Sequence, residues 1–400
     1  MKKKQANWVS VDDRARVLTD LRRKKMARSA HAYVRGSTSR FYEWLEQAGP
    51  RIPGGPAIWI CGDCHIGNLG PIANAKGDIH IEIRDLDQTV IGNPAHDLIR
   101  LGLSLASAAR GSDLPGILTT RMIETLIEGY EAAFDEQDPA LVEIIPSAVT
   151  AAMDRAIKRQ WKQLADERIE GQPGIPLGKK FWPLSKEERE AIIGFFEDEK
   201  ARRLVTALRS RDDEARIEVV DAAYWVKGCS SLGNVRYAAL ISIDGPEAQF
   251  CLMDLKAAVT ALAPRDPDAK MPRDNAQRVA EGAWHLSPAL GDRLLPGKVL
   301  EQSMFVRELM PQDLKFEIEH LTSDEAVHVA RYLALVVGKA HARQMDEATR
   351  RSWQGELRRN RSKTLDAPSW LWTSIVDLIM AHEGAYLEHC RRFASVESEV

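Results

Sequence analysis

Apolar residues recur with helical spacing in the first half of the chain and again at its end. The spacing predicts a helix over 11–48, with Asp12 or Asp13 as its cap. Ser185, with Glu188 three positions later, has the pattern of a capping box and predicts another helix start. Further helices are predicted at 96–109, 118–135, 140–168, 274–287, 317–343 and 370–393.

Other segments have the pattern of strands. Residues 57–61 predict a buried strand, and 66–84 predict a hairpin that turns at Asn74–Asp78. Apolar runs separated by turn residues predict an antiparallel meander over 217–258, and 298–309 predicts more strand. The order is therefore helix-rich, then strand-rich, then helix-rich. This order predicts an α+β fold rather than alternating βαβ units.

Composition narrows the class of protein. The 400 residues are 44% hydrophobic and 28% charged, with a formal net charge of −3, so no bulk nucleic-acid binding is expected. No apolar run follows the basic N-terminus, and no stretch approaches ~18 apolar residues, so neither a secretory signal nor a membrane span is expected. Five cysteines, an odd number, favour a reducing cytoplasm over a disulfide framework.

The strongest chemical signal lies near the start of the chain. Asp63 and Asn68 are five positions apart in a glycine-containing turn, and a short strand then leads to Asp85 and Asp87. Phosphoryl transfer from ATP uses such a set, with one Asp orienting the hydroxyl nucleophile and an Asn and an Asp binding Mg²⁺. The predicted catalytic residues are Asp63, His65 and Asn68. The predicted metal ligands are Asn68 with Asp85 or Asp87, of which Asp85 is favoured. His65 is expected to order the loop or to approach a phosphate.

A second signal lies in the strand-rich region. Residues 228–235 fit a G-x-G-x-x-G-x-V template with Ser at the middle Gly, and they fall between two predicted strands. Lys256 interrupts an apolar strand, which is costly unless the ammonium is paired, and Glu281 on the following helix is its expected partner. The predicted nucleotide-binding residues are Gly228, Ser230, Ser231, Gly233, Lys256 and Glu281.

Two other patterns overlap the first signal. Cys61 and Cys64 form a C-x-x-C pair, followed by His65, as in redox motifs and in haem attachment sites. A redox pair would be followed by a βαβ unit, but a hairpin is predicted here. A haem site would require an export signal and a zinc site a second Cys/His pair at ligand spacing, and neither is found. Asp63-Cys64-His65 also matches the first block of binuclear metallophosphoesterases, whose later blocks are absent.

The blocks GDCHIGNLG, RDLDQT and NPAHDLIRL resemble the catalytic half of aminoglycoside-phosphotransferase-like kinases. Together with VKGCSSLGNVRY, DLKAA, NAQRVAEG, FVREL and KAHAR, they resemble still more closely a bacterial family known as domain of unknown function 2252. The resemblance implies a protein-kinase-like fold with a small antiparallel β lobe and a larger helical lobe. It also implies ATP, Mg²⁺ and an acceptor substrate. Asp97 would cap its helix or hold the catalytic loop through backbone amides.

The motifs stand in an unusual order, because the catalytic loop precedes the glycine-rich loop and the lysine. We therefore expect a circularly permuted fold, in which Met304–Met310 would be the hinge that contacts adenine. The expected parts are a catalytic and metal-binding part at 1–114, a helical connector at 115–215, a β-rich nucleotide lobe at 216–310 and returning helices at 311–400. The expected activity is phosphoryl transfer to a hydroxyl of a small molecule. Transfer of AMP or a glutamyl group, a non-catalytic nucleotide-binding module and a metallophosphoesterase remain alternatives.

Overall fold

The computed structural model describes most of the chain. The described residues are 8–111, 116–135, 145–158, 174–208, 211–229, 232–244, 249–310, 321–359, 361 and 366–393. The helices among them are α1 Arg14–Met26, α2 Ala30–Gly36, α3 Thr38–Ala48, α4 Ala95–Gly111, α5 Gly116–Ala132, α6 Ser147–Lys158, α7 Lys186–Phe196, α8 Glu199–Thr206, α9 Asn275–Leu286, α10 Pro288–Gly291, α11 Ser323–Ala342, α12 Glu347–Arg358 and α13 Ser369–Phe393. The strands are β1 Ile58–Ile60, β2 Leu69–Ala73, β3 Ile79–Ile83, β4 Val90–Gly92, β5 Phe181–Trp182, β6 Ile217–Trp225, β7 Arg236–Ile243, β8 Gln249–Ala257, β9 Leu294–Val299 and β10 Gln302–Glu308.

Antiparallel pairing organises the described strands, and the mixed α+β class is confirmed. The largest sheet has the order β5-β6-β7-β8-β10-β9, so the predicted meander forms its centre. Two small ribbons, β1-β4 and β2-β3, belong to the first hundred residues. The β2-β3 hairpin turns through Asn74–Asp78, where the Asn74 side chain accepts the amides of Lys76 and Asp78 at 2.9 Å.

The predicted helix over 11–48 is wrong as one element, because the chain breaks into α1, α2 and α3. Ser29 adopts an extended conformation and its hydroxyl accepts the Ala32 amide at 3.1 Å, which begins a new helix. Ser37 separates α2 from α3. Asp13 occupies the N-cap position of α1 but makes no side-chain capping bond. The capping box of Ser185 and Glu188 is formed at the start of α7.

Two further elements differ from the prediction. The strand expected at 298–309 is a hairpin, β9-β10, that turns at Leu300 and Glu301 with φ of 49° and 60°. The predicted helix at 317–343 is described from Ser323, and residues 317–320 lie outside the described residues, as do parts of the predicted helix at 140–168. Helix α12 was not predicted.

Two large apolar clusters carry the packing. One joins β1–β4 to helices α3–α6, α9 and α11–α13. The other lies against one face of the six-stranded sheet, beneath α1, α7 and α8. A smaller cluster, including Phe181, Trp225 and Leu240, covers the opposite face of the sheet. None of the described helices is long and apolar enough to span a membrane.

Helices α5 and α11 pack at very short distance within the first cluster. A Cβ added to Gly129 would overlap the carbonyl oxygen of Arg331, and one added to Gly338 would lie 2.7 Å from the carbonyl oxygen of Tyr130. Only residues without a side chain allow the two backbones this approach. The pair supports His341, near the end of α11, which contacts Asp97 on α4.

Candidate functional site

Asp97 fixes the loop that follows β1. Its carboxylate accepts the backbone amides of Cys61 at 2.7 Å and Gly62 at 2.9 Å, and Nε2 of His341 lies 3.2 Å away. Asp97 and His341 are fully buried. A buried carboxylate that accepts several hydrogen bonds is costly to replace, so the loop is held rigidly against the first turn of α4. This is the amide-holding role expected for Asp97.

Gly62 lets the loop turn towards Asp63. Its φ is +74°, and a Cβ at this position would overlap the carbonyl oxygen of Gln88. A side chain is therefore excluded both by backbone conformation and by space. The turn directs Asp63 away from β1 and towards α4.

Asp63 lies in a buried polar network. Its carboxylate accepts Nε of Arg100 at 2.8 Å and the hydroxyl of Thr38 at 3.1 Å. Burial raises the pKa of Asp63 above its ordinary value, although the charge and hydrogen bond of Arg100 oppose the rise. A carboxylate with a raised pKa is a stronger proton acceptor, which suits the expected catalytic role.

Lys256 meets the second acidic cluster from the other end of the sequence. Its ammonium lies 2.9 Å from the carboxylates of both Asp85 and Asp87, and it is 3% exposed. Burial alone would raise the pKa of Asp85, but Lys256, Arg236 and Arg307 outweigh it and the pKa is lowered. Burial and the neighbouring Asp85 charge raise the pKa of Asp87 despite Lys256. The structure thus brings the early carboxylates and the late strand lysine into one cluster.

Register explains how Lys256 reaches this cluster. It faces Arg236 on β7 and Phe305 on β10, in the middle of the sheet. Arg236 is paired with Asp254, also on β8, which leaves Lys256 for the carboxylates beyond the sheet. Burial opposes the charge of Lys256, but Asp85 and Asp87 raise its pKa above the ordinary value, so the lysine stays protonated.

Asn68 connects the loop of Asp63 to the segment of Asp85 by hydrogen bonds. Its Nδ2 donates to the backbone carbonyl of Asp63 at 3.0 Å and to that of Asp85 at 3.5 Å. These bonds assign the amide nitrogen, so Oδ1 points elsewhere and can act as a ligand. The Asp85 side chain is 39% exposed, against 11% for Asp87. One amide oxygen and two carboxylates form a donor set that fits Mg²⁺.

The expected pair between Lys256 and Glu281 is not found in the described structure. Glu281 lies on the exposed face of α9, whereas Lys256 is satisfied by the two carboxylates. Arg278, one turn earlier on α9, points inward instead. Its guanidinium donates to the carbonyl oxygens of Asp87 at 3.0 Å, Val259 at 2.8 Å and Thr89. Helix α9 therefore contacts the segment of Asp87 through hydrogen bonds from the Arg278 side chain to backbone carbonyl groups, and not through an ion pair.

The glycine-rich loop joins β6 to β7 as predicted. Gly228 and Gly233 have φ of 105° and 113°, which favour glycine. Lys25 of α1 donates to the carbonyl of Gly228 at 2.9 Å, and Sγ of Cys229 lies 3.8 Å from the carbonyl oxygen of Ala32. Ser230 and Ser231 lie outside the described residues. The described residues of the loop thus contact α1 and α2, and Arg35 of α2 also lies close to Gly67 in the loop of Asp63.

His65 lies beside Asp63 in a group of nitrogen-bearing side chains. Its Nε2 is 3.9 Å from the Asp63 carboxylate. His31 and Arg35 of α2 and Arg100 of α4 surround it. Burial, followed by the charges of Arg35 and Arg100, lowers the pKa of His31 to about 4 and that of His65 well below its ordinary value. Both histidines are therefore neutral near pH 7.

Arg100, Arg35 and Arg278 were not singled out in the sequence. Arg100 carried a usable signal, since it and Asp97 are the two charges in the largely apolar start of α4, and a buried charge is costly unless paired. The same argument had selected Lys256. Arg278 lies near other charged residues, and Arg35 ends a short helix, so periodicity alone does not distinguish them.

Cys61, Cys64 and Asp97 place their ligand atoms within 4.8 Å of one another. Hydrogen bonding to Cys64 and burial raise the pKa of Cys61 well above its ordinary value. The Asp97 carboxylate already accepts two backbone amides, so in this structure it holds the loop.

Comparison with protein families gives one match. The model of a family described as "uncharacterized protein conserved in bacteria (DUF2252)" matches residues 14–392. The chain belongs to this family. The predicted resemblance to the family is thus confirmed over nearly the whole chain. No curated protein and no solved structure matches.

Proposed function

We propose that this member of the family is an ATP- and Mg²⁺-dependent phosphotransferase acting on a hydroxyl group. The observation that carries the proposal is the convergence of Lys256 with Asp85 and Asp87, at 2.9 Å across about 170 positions of sequence. A buried cation between two carboxylates, next to an amide and a third carboxylate, is the set that phosphoryl transfer requires.

The sequence of elements around Lys256 supports the same function. A glycine-rich loop joins β6 to β7, Lys256 follows on β8, and α9, β9 and β10 come next. This is the order of a kinase nucleotide lobe, with Asp63, Asn68 and Asp85 supplied by the preceding part of the chain. The proposal therefore includes the circular permutation, a two-lobed kinase-like fold and a nucleotide site between the sheet and the loop of Asp63.

Each residue of the proposed site has a role in the proposed reaction. Asp63, held by Arg100 and Thr38, orients the acceptor hydroxyl and receives its proton. The hydroxyl oxygen forms a bond to the γ-phosphorus of ATP, the bond to the bridging oxygen breaks, and ADP leaves with that electron pair. Lys256 would bind phosphate oxygens. Asn68, Asp85 and Asp87 would hold Mg²⁺, which would supply positive charge beside the transferred phosphate.

The low pKa of Asp85 suits a metal ligand, because the carboxylate stays ionised at neutral pH. In the structure the single charge of Lys256 is shared between the two carboxylates. We expect Lys256 to turn towards the phosphates when nucleotide binds. The site would then exchange one compensating cation for another without leaving a buried charge unpaired.

Calorimetric titration of ATP, with and without Mg²⁺, tests the proposal. Lys256→Met keeps the apolar stem and removes the charge, and it should weaken Mg²⁺-ATP binding by about tenfold or more. Asp85→Asn should remove most of the Mg²⁺ dependence. Lys298→Met on β9 and Asp268→Asn, both at exposed positions, are matched controls that should bind like the wild type.

ATP binding that is unchanged in both site variants would contradict the shared nucleotide and metal site. If ATP binds as expected, mass spectrometry of products from an acceptor screen separates phosphoryl transfer from transfer of AMP. A nucleotide-binding protein without any product would instead support the non-catalytic alternative.

A further inference from the structure

Four buried nitrogen atoms near Asp63 have no hydrogen-bond partner. They are Nδ1 of His31, Nε of Arg35, Nδ1 of His65 and Nη1 of Arg100. Arg100 and His65 are respectively 0% and 4% exposed. Buried polar atoms are almost always paired in proteins, and several unpaired donors in one place indicate a ligand that completes them.

The four side chains share one location. His31 and Arg35 are four residues apart on α2 and so lie on the same face of that helix. His65 follows Asp63 in the loop, and Arg100 bonds Asp63 directly. A Cβ at Gly67 would lie 3.0 Å from Cζ of Arg35 and 3.1 Å from Cε1 of His65, so Arg35 and His65 converge on the glycine.

The cations of this location differ in their ion pairing. Arg100 is paired with Asp63, and the single charge of Lys256 is shared between Asp85 and Asp87. No carboxylate pairs with Arg35 among the described residues. Burial first, and then the Arg35 and Arg100 charges, lower the pKa values of His31 and His65, and the Asp85 charge opposes this shift at His65.

We propose that His31, Arg35, His65 and Arg100 form an oxyanion pocket that binds an anionic group of the acceptor, so that the phosphorylated hydroxyl belongs to a phosphate- or carboxylate-bearing small molecule. An anion held by Arg35 and His65 would place a neighbouring hydroxyl next to Asp63. Arginine and neutral histidine suit this ligand, since both donate N–H groups to oxyanions. The substrate class rests on the proposed phosphotransferase function, whereas anion binding by itself does not.

Calorimetric titration of inorganic phosphate into the full chain tests the pocket. Arg35→Gln should weaken phosphate binding by about tenfold or more, since a charge-assisted pair is lost. Gly67→Ala should weaken it as well, because the new methyl group displaces the Arg35 guanidinium. Arg40→Gln, at an exposed arginine of α3, is the matched control and should bind phosphate like the wild type. Equal phosphate affinity in all four proteins would overturn the pocket.

A second readout does not depend on whether a variant is stable. In the wild type, phosphate should shift the ring resonances of His31 and His65 in NMR spectra and leave those of the exposed His328 in place. Absence of shifts at both pocket histidines at saturating phosphate would contradict the assignment.

Phosphate titrations in the presence of nucleotides distinguish a site for the acceptor's anionic group from a site for the transferred phosphoryl group. Phosphate should still bind when the site is saturated with Mg²⁺ and a non-hydrolysable ATP analogue. Loss of phosphate binding with that analogue but not with ADP would assign the pocket to the γ-phosphoryl group and overturn the anionic acceptor. If ATP does not bind at all but phosphate does, the proposed function fails while the pocket stands.

Discussion

At the residue scale, Asp63 is the position where burial, hydrogen bonding and proposed chemistry coincide. Asp63 is 3% exposed, and Arg100 and Thr38 both donate hydrogen bonds to its carboxylate. Asn has the same shape, can still accept from Arg100 and cannot take up the hydroxyl proton. Replacement by Asn should therefore separate structure from chemistry.

We predict that Asp63→Asn lowers turnover by about 100-fold or more, the usual contribution of a positioned base, and changes Mg²⁺-ATP affinity little. Steady-state kinetics and calorimetry on the same preparations measure the two effects. Asp268→Asn, at an exposed position, controls for the loss of one negative charge. Turnover that survives in the Asp63 variant would show that another group, or none, accepts the proton.

The residues of the proposed site were selected from the sequence for two reasons. Asp63, Asn68 and Asp85 have the spacing typical of phosphoryl transfer, and Lys256 is a charge within an apolar strand, where burial requires a partner. The wrong partner for Lys256, Glu281, came from assuming an ion pair with the following helix. Which face of α9 turns inward depends on packing against β1 and the sheet, and Arg278 rather than Glu281 occupies that face.

At the element scale, periodicity predicted where helices lie but not where they break. Ser29 and Ser37 interrupt the first predicted helix in different ways. The Ser29 hydroxyl caps α2, whereas the Ser37 hydroxyl donates back to the Tyr33 carbonyl at 2.7 Å and makes no capping bond to α3. The β9-β10 turn uses Leu300 and Glu301 at positive φ, where Gly or Asn is the usual signal. No local pattern marks such a turn, so the hairpin was predicted as one strand.

The close packing of α5 on α11 gives an element-scale prediction. Gly129→Ala should lower the free energy of unfolding by about 3 kcal/mol, because the methyl group must push the two backbones apart. Gly355→Ala, within α12 and with open space around it, should instead stabilise the protein by up to about 1 kcal/mol. Urea unfolding of both variants measures the difference. Equal effects of the two substitutions would contradict the close approach.

At the scale of the whole molecule, the proposed site depends on contacts between distant parts of the chain. Asp63 and Asp85 belong to the early segment, Lys256 belongs to the sheet, and His341 reaches Asp97 from α11. Motif order could suggest that these parts meet, since contacts rather than chain order define a site. The distances between them follow only from the packing of the whole chain.

Buried histidines give a prediction for the whole molecule, because they couple global stability to pH. His382 on α13 is 4% exposed, and its Nδ1 bonds the Leu378 carbonyl at 2.9 Å. Burial, with the Arg100 charge, lowers its pKa to about 4. Below pH 6.5 this histidine takes up a proton in the unfolded chain but stays neutral in the folded protein. The contribution of His382 to stability is therefore present above pH 6.5 and is lost as pH falls towards 4. Carboxylates with lowered pKa values, such as Asp254 at about 2, lose their contribution only below about pH 4.

Replacing His382 by Asn should therefore reduce the loss of stability between pH 6.5 and 4.5 by about 2 kcal/mol relative to the wild type. The difference between the two proteins is the informative quantity, because the raised pKa values of Asp63 and Asp87 act on stability in the opposite sense. Urea unfolding at half-unit pH steps measures it, and His328→Asn at an exposed position of α11 should follow the wild-type curve. Parallel curves for His382→Asn and the wild type would mean that folded His382 takes up its proton as readily as the unfolded chain.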